Sequence, residues 1–329
     1  MPYLLPFEKP LQQIEDRIDA LRAASASAGI ASTPPELTAL QAELDAARKK
    51  VFSALTPWEK ILLARHPLRP YARDFINRIV DDFFELRGDR HFADDPSIVG
   101  GIGWIDGRRV MVIGTQKGRD TRSNLLCHFG CPYPEGYRKA LRLMQLAAKF
   151  RLPILTLIDT PGAFPGTEGE ERHVAEAIAV NLREMFTFPV PIVSVVIGEG
   201  GSGGALALGV ANRILLLEYA YYSVISPEGC AAILWKDRAH APEAAEALKL
   251  TAPDLLRLGI ADALVVEPPG GAHRDYDLAA DSLRRAVTAQ FQALAPLTEI
   301  ELLSDRYRKF RSLGRFVDSA SLPAQANDN

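Results

Sequence analysis

Two glycine-rich turns carry the residues of this sequence that are best suited to chemistry. The first turn is Asp159-Thr-Pro-Gly-Ala-Phe-Pro-Gly166, and the second is Gly198-Glu-Gly-Gly-Ser-Gly-Gly204. Each follows an apolar run typical of a β-strand and leads into a helical pattern. Glycine permits tight turns and close backbone approach, and the N–H groups at the start of a helix are free to bind an anion or a developing oxyanion. The turns therefore indicate an anion-binding or oxyanion-stabilising site.

The second turn fits more than one motif. The spacing from Gly198 to Gly203 matches the dinucleotide fingerprint, with Glu218 near the position of a ribose-binding acid, although that fingerprint normally opens the first βα unit. The residues around Ser202 match a nucleophile elbow, which needs a downstream acid and a histidine. The turn also fits an oxyanion hole without a nucleophile, or close packing of a helix on a sheet. The sequence does not select among the possible partners of Ser202, which are Asp237, Asp254, Asp262, His240 and His273.

A short basic segment precedes the first turn. Lys117, Arg119 and Arg122 lie close together in the sequence. They fit two interpretations equally well: contact with an anionic group such as a phosphate or a carboxylate, or a solvated basic loop.

Cysteine and histidine residues raise the question of a metal site at Cys127, His128 and Cys131. A structural zinc site needs four ligands, usually arranged as two pairs, and no second pair is present. Together with Cys230, the chain has three cysteines, which cannot form a disulfide framework. We interpret them as reduced thiols and expect no metal in this chain.

Composition limits the classes of function. The 329 residues include 38 basic and 41 acidic side chains, which give a net charge of −3. Nucleic acid is therefore not an expected partner, because phosphate binding requires a basic surplus. The first residues lack a targeting pattern, and no apolar run approaches the roughly 20 residues needed to span a bilayer. We expect a cytoplasmic protein without membrane contact.

The elements that position the turns follow from hydrophobic spacing. Apolar residues at helical intervals predict a helical hairpin within residues 1–65 and another helix over 70–86. Asp106-Gly107 indicates a β-hairpin between two β-prone runs. Apolar strands then alternate with helices, which predicts a layered α/β core. The remaining predicted helices cover 136–150, 168–186, 203–212, 277–294 and 299–312.

Further motifs occur in order along the chain. They are Ala64-Arg-His-Pro-Leu-Arg-Pro-Tyr71, Val99-Gly-Gly101, Gln116-Lys-Gly-Arg119, Pro134-Glu-Gly-Tyr-Arg-Lys-Ala-Leu-Arg-Leu-Met144, Tyr222-Ser-Val-Ile-Ser-Pro-Glu-Gly-Cys230 and Gly270-Gly-Ala-His273. Together with the two turns, they resemble the carboxyltransferase α subunit of the multi-subunit acetyl-CoA carboxylase of bacteria and plastids. The resemblance extends to about residue 316, and the segment 120–131 departs from it.

The resemblance implies an α/β fold of the crotonase-like (ClpP/crotonase) kind, a superhelix of ββα units with an N-terminal helical hairpin and C-terminal helices. It implies transfer of a carboxyl group from carboxybiotin, presented by a separate biotin carrier protein, to acetyl-CoA, giving malonyl-CoA for fatty-acid synthesis. It also implies a β subunit that carries zinc, in an assembly of two α and two β subunits, and a biotin carboxylase in the full complex. We expect a hairpin over 1–65, a carboxyltransferase domain over 66–316 and a flexible tail over 317–329.

The resemblance also implies the site residues. The backbone N–H groups of Gly203 and Gly204 would form the oxyanion hole for the ureido oxygen of biotin. A valine at Gly204 should then obstruct that oxygen and lower the rate by about tenfold or more. The expected substrate-binding positions are Gly162, Ala163, Phe164, Gly200, Gly201, Ser226, Lys117 and Arg119.

Two other functions stay open at this point. A serine hydrolase of crotonase-like fold would use Ser202 as its nucleophile. A non-catalytic scaffold subunit would use the helical hairpin to recruit partners.

Overall fold

The computed structural model describes residues 3–27 and 35–314 of the chain. The sequence predicts a loop over 24–35 between the two helices of the hairpin. Residues 24–27 are instead the last turn of the first helix, so the loop prediction is wrong there, whereas residues 28–34 and the predicted tail over 317–329 lie outside the described residues. Among the helices that the structure describes, none combines the length and the hydropathy needed to cross a membrane.

The described strands pair into one sheet. They are β1 (Asp81–Glu85), β2 (Ile98–Ile105), β3 (Arg108–Thr115), β4 (Ile154–Thr160), β5 (Ile192–Gly201), β6 (Arg213–Leu217), β7 (Tyr221–Ser223) and β8 (Ala263–Val265). Their order is β1-β2-β3-β4-β5-β6-β8, and β7 pairs with the end of β5. The first two pairs are antiparallel and the others are parallel. Strands β4 and β5 are buried along their whole length, as expected for central parallel strands.

Helices surround this sheet. In the described part of the chain they are α1 (Lys9–Ser27), α2 (Pro35–Ser53), α3 (Pro57–Ala64), α4 (Ala72–Ile79), α5 (Thr121–Leu126), α6 (Pro134–Lys149), α7 (Thr167–Glu171), α8 (Val174–Met185), α9 (Ser202–Leu206), α10 (Pro227–Leu234), α11 (Ala241–Leu248), α12 (Ala252–Arg257), α13 (Tyr276–Leu294) and α14 (Glu299–Arg311). Helix α6 packs on α8 and on β2 and β3, whereas α13 packs on α4. The main core lies between these helices and the sheet.

Several predicted elements are confirmed. The β-hairpin turns at Asp106 (φ 46°) and Gly107 (φ 75°), both in the left-handed region that such a two-residue turn requires. The buried strands and the helices α6, α13 and α14 lie where hydrophobic spacing predicted them.

The helix predicted over 70–86 is wrong beyond Ile79. The chain turns into strand β1 instead, with a register shift near Asp82, whose φ is 51°. The strand replaces the predicted helix because of a long-range contact: β1 pairs with β2, and the two backbones approach most closely at Gly101. A Cβ at Gly101 would lie 2.2 Å from the carbonyl oxygen of Phe84, so only glycine allows this approach. Local spacing does not reveal such pairing.

Two other predicted helices are shorter than expected. The helix over 168–186 is broken at His173, which has φ 65° and ψ 55° and separates α7 from α8. The break leaves the carbonyl of Arg172 free to accept a hydrogen bond from α6. The helix over 203–212 ends early as α9. There the carbonyl of Leu208 accepts hydrogen bonds from hydroxyl groups of β4 and β5 (2.8 and 2.9 Å), which replaces helical hydrogen bonding.

The N-terminal helical hairpin is confirmed in its described residues, 9–27 and 35–53. Helices α1 and α2 bury the predicted apolar stripe, and the same cluster continues into the main body of the chain. Its buried members are Leu5, Leu11, Ile18, Leu40, Leu44, Phe52, Leu55, Leu63 and Tyr219. The hairpin therefore packs on the main body, while the boundary after residue 65 stays a prediction.

A buried charged group fastens the start of the chain. Glu8 accepts hydrogen bonds from the N–H of Leu5 (2.9 Å) and the guanidinium of Arg274 (2.9 Å), and it lies 3.3 Å from Nε2 of His273. His273 stacks on His66 with ring centroids 4.0 Å apart. We call Glu8, His66, His273 and Arg274 the hairpin anchor. Its charge-assisted hydrogen bonds join the N-terminal segment to the turn that ends at Arg274.

Three residues of the hairpin anchor could reach one metal ion, since ligand atoms of Glu8, His66 and His273 lie within 4.8 Å of one another. Two contacts disfavour that use. The N–H of Leu68 donates to Nδ1 of His66 (3.1 Å), which places the proton of the neutral ring on Nε2. The guanidinium of Arg274 already neutralises Glu8. We therefore assign the group a structural role.

The hairpin anchor should make stability depend on pH. Burial, helped by His273, lowers the pKa of His66 from 6.5 to about 4. The ring therefore gains a proton on unfolding between these values, and the free energy of unfolding should fall by about 3 kcal/mol as the pH decreases through that range. When chemical denaturation is measured across this pH range, the free energy of unfolding of His66→Asn should depend less steeply on pH than that of the wild type. The matched variant His240→Asn, at a solvent-accessible histidine, should keep the wild-type dependence. An unchanged slope in His66→Asn would contradict this account.

Candidate active site

The two glycine turns meet at the carboxyl ends of β4 and β5, which are parallel neighbours. A Cβ at Gly201 would lie 2.1 Å from the carbonyl oxygen of Pro161. A Cβ at Gly204 would lie 2.4 Å from the amide nitrogen of Ala163. These separations are far below van der Waals contact, so the backbones touch only because glycine stands at both positions. The structure thus brings the predicted residues of both turns into one place.

The second turn presents backbone donors that no protein group uses. Among the described residues, the N–H groups of Gly203 and Gly204 have no backbone or side-chain acceptor. Ser202, just before them, has φ 54°, a left-handed conformation that is uncommon for serine and indicates local strain. Two adjacent free N–H groups in a fixed turn can bind an anionic oxygen.

An apolar cavity of about 480 Å³ opens beside these donors. It is lined by Ser202, Gly203, Leu206, Ile214, Tyr222, Ser223, Val224, Leu255, Leu258, Ile260, Phe310, Leu313 and Gly314. Such a cavity suits a compact, largely apolar group whose polar atom faces the free N–H groups.

A buried tyrosine lies behind the donors. The hydroxyl of Tyr137 on α6 has no partner in the described structure and lies 2.8 Å from the Cβ position of Gly204. Asn181 holds α6 to α9 by donating to the carbonyls of Tyr137 (3.2 Å) and Ala207 (3.3 Å). Burial raises the pKa of Tyr137, so the phenol keeps its proton.

Aromatic residues form a wall beside the first turn. Phe164 stacks on Tyr133 with ring centroids 4.0 Å apart, and His128 meets the edge of Tyr133 at 4.3 Å. The N–H of Phe164 donates to the carbonyl of Pro132 (3.0 Å). The segment 120–131, which contains His128, therefore leads directly to this wall.

Lys117 lies beneath the turns, with its side chain 12% exposed. Its ammonium donates to Asp159 (2.7 Å) and Glu199 (2.6 Å). Burial opposes this charge, but the two carboxylates outweigh it and raise the pKa of Lys117. Burial also favours a neutral Glu199, but Lys117 and Arg65 outweigh it and lower the pKa of Glu199 to about 2. The solvated-loop interpretation is wrong for Lys117, and these ion pairs disfavour its predicted contact with an anionic substrate.

Arg119 and Ser226 make local contacts. The guanidinium of Arg119 pairs with Asp74 (2.5 Å) and lies 4.0 Å from the ring of Tyr71. The hydroxyl of Ser226 accepts the N–H of Gly229 (3.1 Å) and so caps α10. Neither side chain is hydrogen-bonded to the two turns in the described residues, so their substrate-binding roles stay predictions.

The structure lacks, in its described residues, the geometry that the dinucleotide fingerprint and the nucleophile elbow require. Gly198 and Gly200 lie inside β5 rather than in a phosphate-binding turn. The hydroxyl of Ser202 has no hydrogen bond to a histidine or an aspartate in the part of the chain that the structure describes. His273 belongs to the hairpin anchor, and His240 lies beside Trp235. A catalytic triad is therefore not assembled around the serine.

The predicted free thiols are confirmed at Cys127, Cys131 and Cys230. Burial raises the pKa of Cys131 to about 11.

Sequence reasoning missed the groups that support the turns, although all of them lie in or beside the quoted motifs. They are Arg65, Tyr137, Asp159, Glu199 and Tyr221. The available signal was a charge at the end of an apolar strand, as at Asp159 and Glu199. A buried charge requires a partner elsewhere in the chain.

Comparison with known proteins gives consistent results. The family described as acetyl co-enzyme A carboxylase carboxyltransferase-like matches residues 4–314. The acetyl-coenzyme A carboxylase carboxyl transferase subunit alpha of Sorangium cellulosum is 54% identical over 95% of this chain and 98% of its own length. The corresponding subunit of Thermus thermophilus is 52% identical over 95% of this chain and 99% of its own length.

Solved structures resemble this chain at low sequence identity. Transcarboxylase 12S has a TM-score of 0.56 at 22% identity, covering 69% of this chain and 42% of the other. A Pseudomonas malonate decarboxylase heterodimer has a TM-score of 0.54 at 16% identity, covering 66% of this chain and 89% of the other. These likenesses show the fold alone, and they confirm the predicted crotonase-like architecture.

The contact between the turns predicts different effects at two neighbouring glycines. Gly204→Ala should lower the free energy of unfolding by about 1–3 kcal/mol, because the new Cβ meets the backbone of Gly162 and Ala163. The matched variant Gly203→Ala should change it by less than about 0.5 kcal/mol, since its Cβ meets only Ile178 at 3.8 Å. Chemical denaturation measures both, and equal losses would contradict the packing described. The predicted loss of activity in Gly204→Val thereby gains another cause, displacement of the turn.

Proposed function

Because this chain belongs to the family of acetyl-CoA carboxylase carboxyltransferase α subunits, we propose that it forms the biotin side of a carboxyltransferase that converts acetyl-CoA to malonyl-CoA. The observation that carries this proposal is the pair of free N–H groups at Gly203 and Gly204, beside an apolar cavity. Family membership indicates the class of reaction. The two free N–H groups could stabilise the negative charge that develops on an oxygen of the substrate during that reaction.

The reaction requires stabilisation of an oxygen that becomes negative. Carboxybiotin would supply the carboxyl group. Cleavage of its N–C bond would release CO2 and leave the electron pair on the ureido group, whose nitrogen would take a methyl proton of acetyl-CoA. The methyl carbon of the resulting enolate would then form the new C–C bond to CO2. The N–H groups of Gly203 and Gly204 donate to the ureido oxygen. Loss of one such donor typically costs about 3 kcal/mol of barrier. This role needs no side-chain nucleophile, in keeping with the unassisted hydroxyl of Ser202.

The apolar cavity suits the ring system and alkyl chain of biotin. Leu206, Tyr222 and Leu258 supply apolar surface, and Gly203, one of the two donor residues, also lines the cavity. Excluding water from this cavity strengthens the hydrogen bonds to the ureido oxygen, because charge interactions are stronger at low dielectric. The wall of Tyr133 and Phe164 would border the same substrate on the side of the first turn.

The name of the relatives implies a partner subunit. We infer that a β subunit covers three exposed apolar side chains that lie within five positions of the chain beside His128, Leu125 (62%), Leu126 (60%) and Phe129 (58%), because grouped exposed apolar side chains are typical of an interface. That subunit would bring the acyl-CoA, donors for its enolate oxygen, and zinc. A biotin carrier protein and a biotin carboxylase complete the proposed complex, with two α and two β subunits at its centre.

The proposed product, malonyl-CoA, places the chain in fatty-acid synthesis, with a cytoplasmic location as expected from the sequence. The scaffold alternative would leave carboxyl transfer independent of the two turns. The hydrolase alternative would give labelling of Ser202 by a fluorophosphonate probe. The lack of a histidine partner for Ser202 in the described residues disfavours the hydrolase.

A divided site predicts activity only in a mixture of subunits. Malonyl-CoA-dependent carboxylation of free biocytin, the reverse reaction, should be undetectable with this chain alone. It should appear when a zinc-containing β subunit is added, because each chain supplies one set of donors. Formation of acetyl-CoA measures the reaction. A stable complex that is inactive in both directions would contradict the proposal and favour the scaffold.

A further inference from the structure

We propose that Lys117 is a positioning residue, which fixes the spacing of the two glycine turns by bridging Asp159 and Glu199. This inference rests on the proposed function, since it concerns the same site. It replaces direct contact with an anionic substrate, the role expected for Lys117 from the sequence.

The bridge stands where the backbone ladder between β4 and β5 is interrupted. The two strands pair regularly up to Ile158 and Val196, and the register then shifts before Thr160 meets Gly200. Asp159 lies within this interruption. Its Oδ1 accepts both the N–H of Glu199 (2.9 Å) and the ammonium of Lys117 (2.7 Å). Side-chain hydrogen bonds therefore take over from the ladder immediately before both turns begin.

Glu199 is held on both of its oxygens. Oε2 accepts the ammonium of Lys117 (2.6 Å), and Oε1 accepts from Nε of Arg65 (2.7 Å) and the hydroxyl of Tyr221 (2.8 Å). Arg65 also pairs with Glu228 (2.5 Å) on α10. Lys117 is thus the link that connects Asp159 on β4 to a carboxylate already fixed to α3, β7 and α10.

Lys117 is covered from the outside, so a substrate would not reach its ammonium directly. A Cβ at Gly130 would lie 2.6 Å from Cγ of Lys117, which shows that the loop around Gly130 lies directly on the lysine side chain. Its polar contacts are the two carboxylates beneath the turns. These contacts suit a lysine that holds Asp159 and Glu199 together, here called the Lys117 clamp, better than a lysine that binds substrate.

Removing the ammonium would leave Asp159 without its cationic partner, while Glu199 would keep Arg65 and Tyr221. The two carboxylates that now share one ammonium would repel each other, and a buried charge without a cationic partner is strongly destabilising. The ends of β4 and β5 would move apart, and with them the contacts of Gly201 on Pro161 and of Gly204 on Ala163. A displacement of about 1 Å at a reacting group can cost roughly a hundredfold in rate.

The first test is Lys117→Met in the complex with the β subunit. We expect kcat for carboxyl transfer to fall by about a hundredfold, with little change in the KM for the acyl-CoA, which the partner would bind. The control is Arg48→Met. Its guanidinium donates to Glu15 (2.7 Å) between the two helices of the N-terminal hairpin, with the two side chains 22% and 20% exposed, and neither residue lines the cavity or contacts the glycine turns in the described structure. This control should keep kcat within about twofold of wild type.

A double variant separates positioning from simple charge balance. Lys117→Met with Asp159→Asn removes the surplus buried charge but not the need for a bridge. It should regain thermal stability relative to Lys117→Met while kcat stays low. Recovery of kcat in the double variant would overturn the proposal, because charge balance alone would then explain the lysine. If Lys117→Met does not fold, the double variant is compared with wild type directly.

Amide hydrogen exchange of the full chain tests the Lys117 clamp without relying on enzymatic activity. Peptides spanning 160–166 and 198–205 should exchange faster in Lys117→Met, or in the double variant, and at wild-type rates in Arg48→Met. Unchanged exchange in both turns would overturn the proposal. An inactive wild-type complex would instead overturn the proposed function, while the exchange measurement still decides the role of Lys117.

Discussion

Direct contact between two backbone turns is the constraint on which the rest of this structure depends. Gly201 rests on Pro161 and Gly204 rests on Ala163, with no space for a side-chain carbon. In the proposed function, the groups presented to the substrate are peptide N–H groups rather than a titratable side chain. The positions of these N–H groups are fixed by the positions of the two turns. The turns are held in place by the buried parallel strands that end in them and by the charged groups at the ends of these strands.

The charged groups beneath the turns are costly to bury, and this suggests a specific purpose. Each buried ion loses hydration, and ion pairs in the interior often contribute no more stability than apolar packing of the same volume. Here Lys117 and Arg65 neutralise Glu199 from both sides and lower its pKa to about 2. We interpret the arrangement as a device for geometry rather than for stability, since its bonds are directional and lie where the ladder between β4 and β5 is interrupted.

The sequence predicted the fold and the two glycine turns better than it predicted the groups that support these turns. Apolar strands, the turn at Asp106-Gly107 and the glycine turns follow from local chemistry. The strand β1 does not, because it depends on a close approach at Gly101 that only pairing with β2 makes necessary. Lys117 looked like a solvated or substrate-binding cation, because its two carboxylate partners are distant in sequence. Tyr137 lies within a predicted helix, and its place behind the second turn depends on a contact with Gly204 that is distant in sequence.

A crystal structure of this chain bound to its β subunit and biocytin would test the central claim most directly. The account predicts the ureido oxygen about 2.7–3.1 Å from the nitrogen atoms of both Gly203 and Gly204, with the ring in the apolar cavity. A ureido oxygen more than about 4 Å from both nitrogen atoms would show no hydrogen bond and would contradict it.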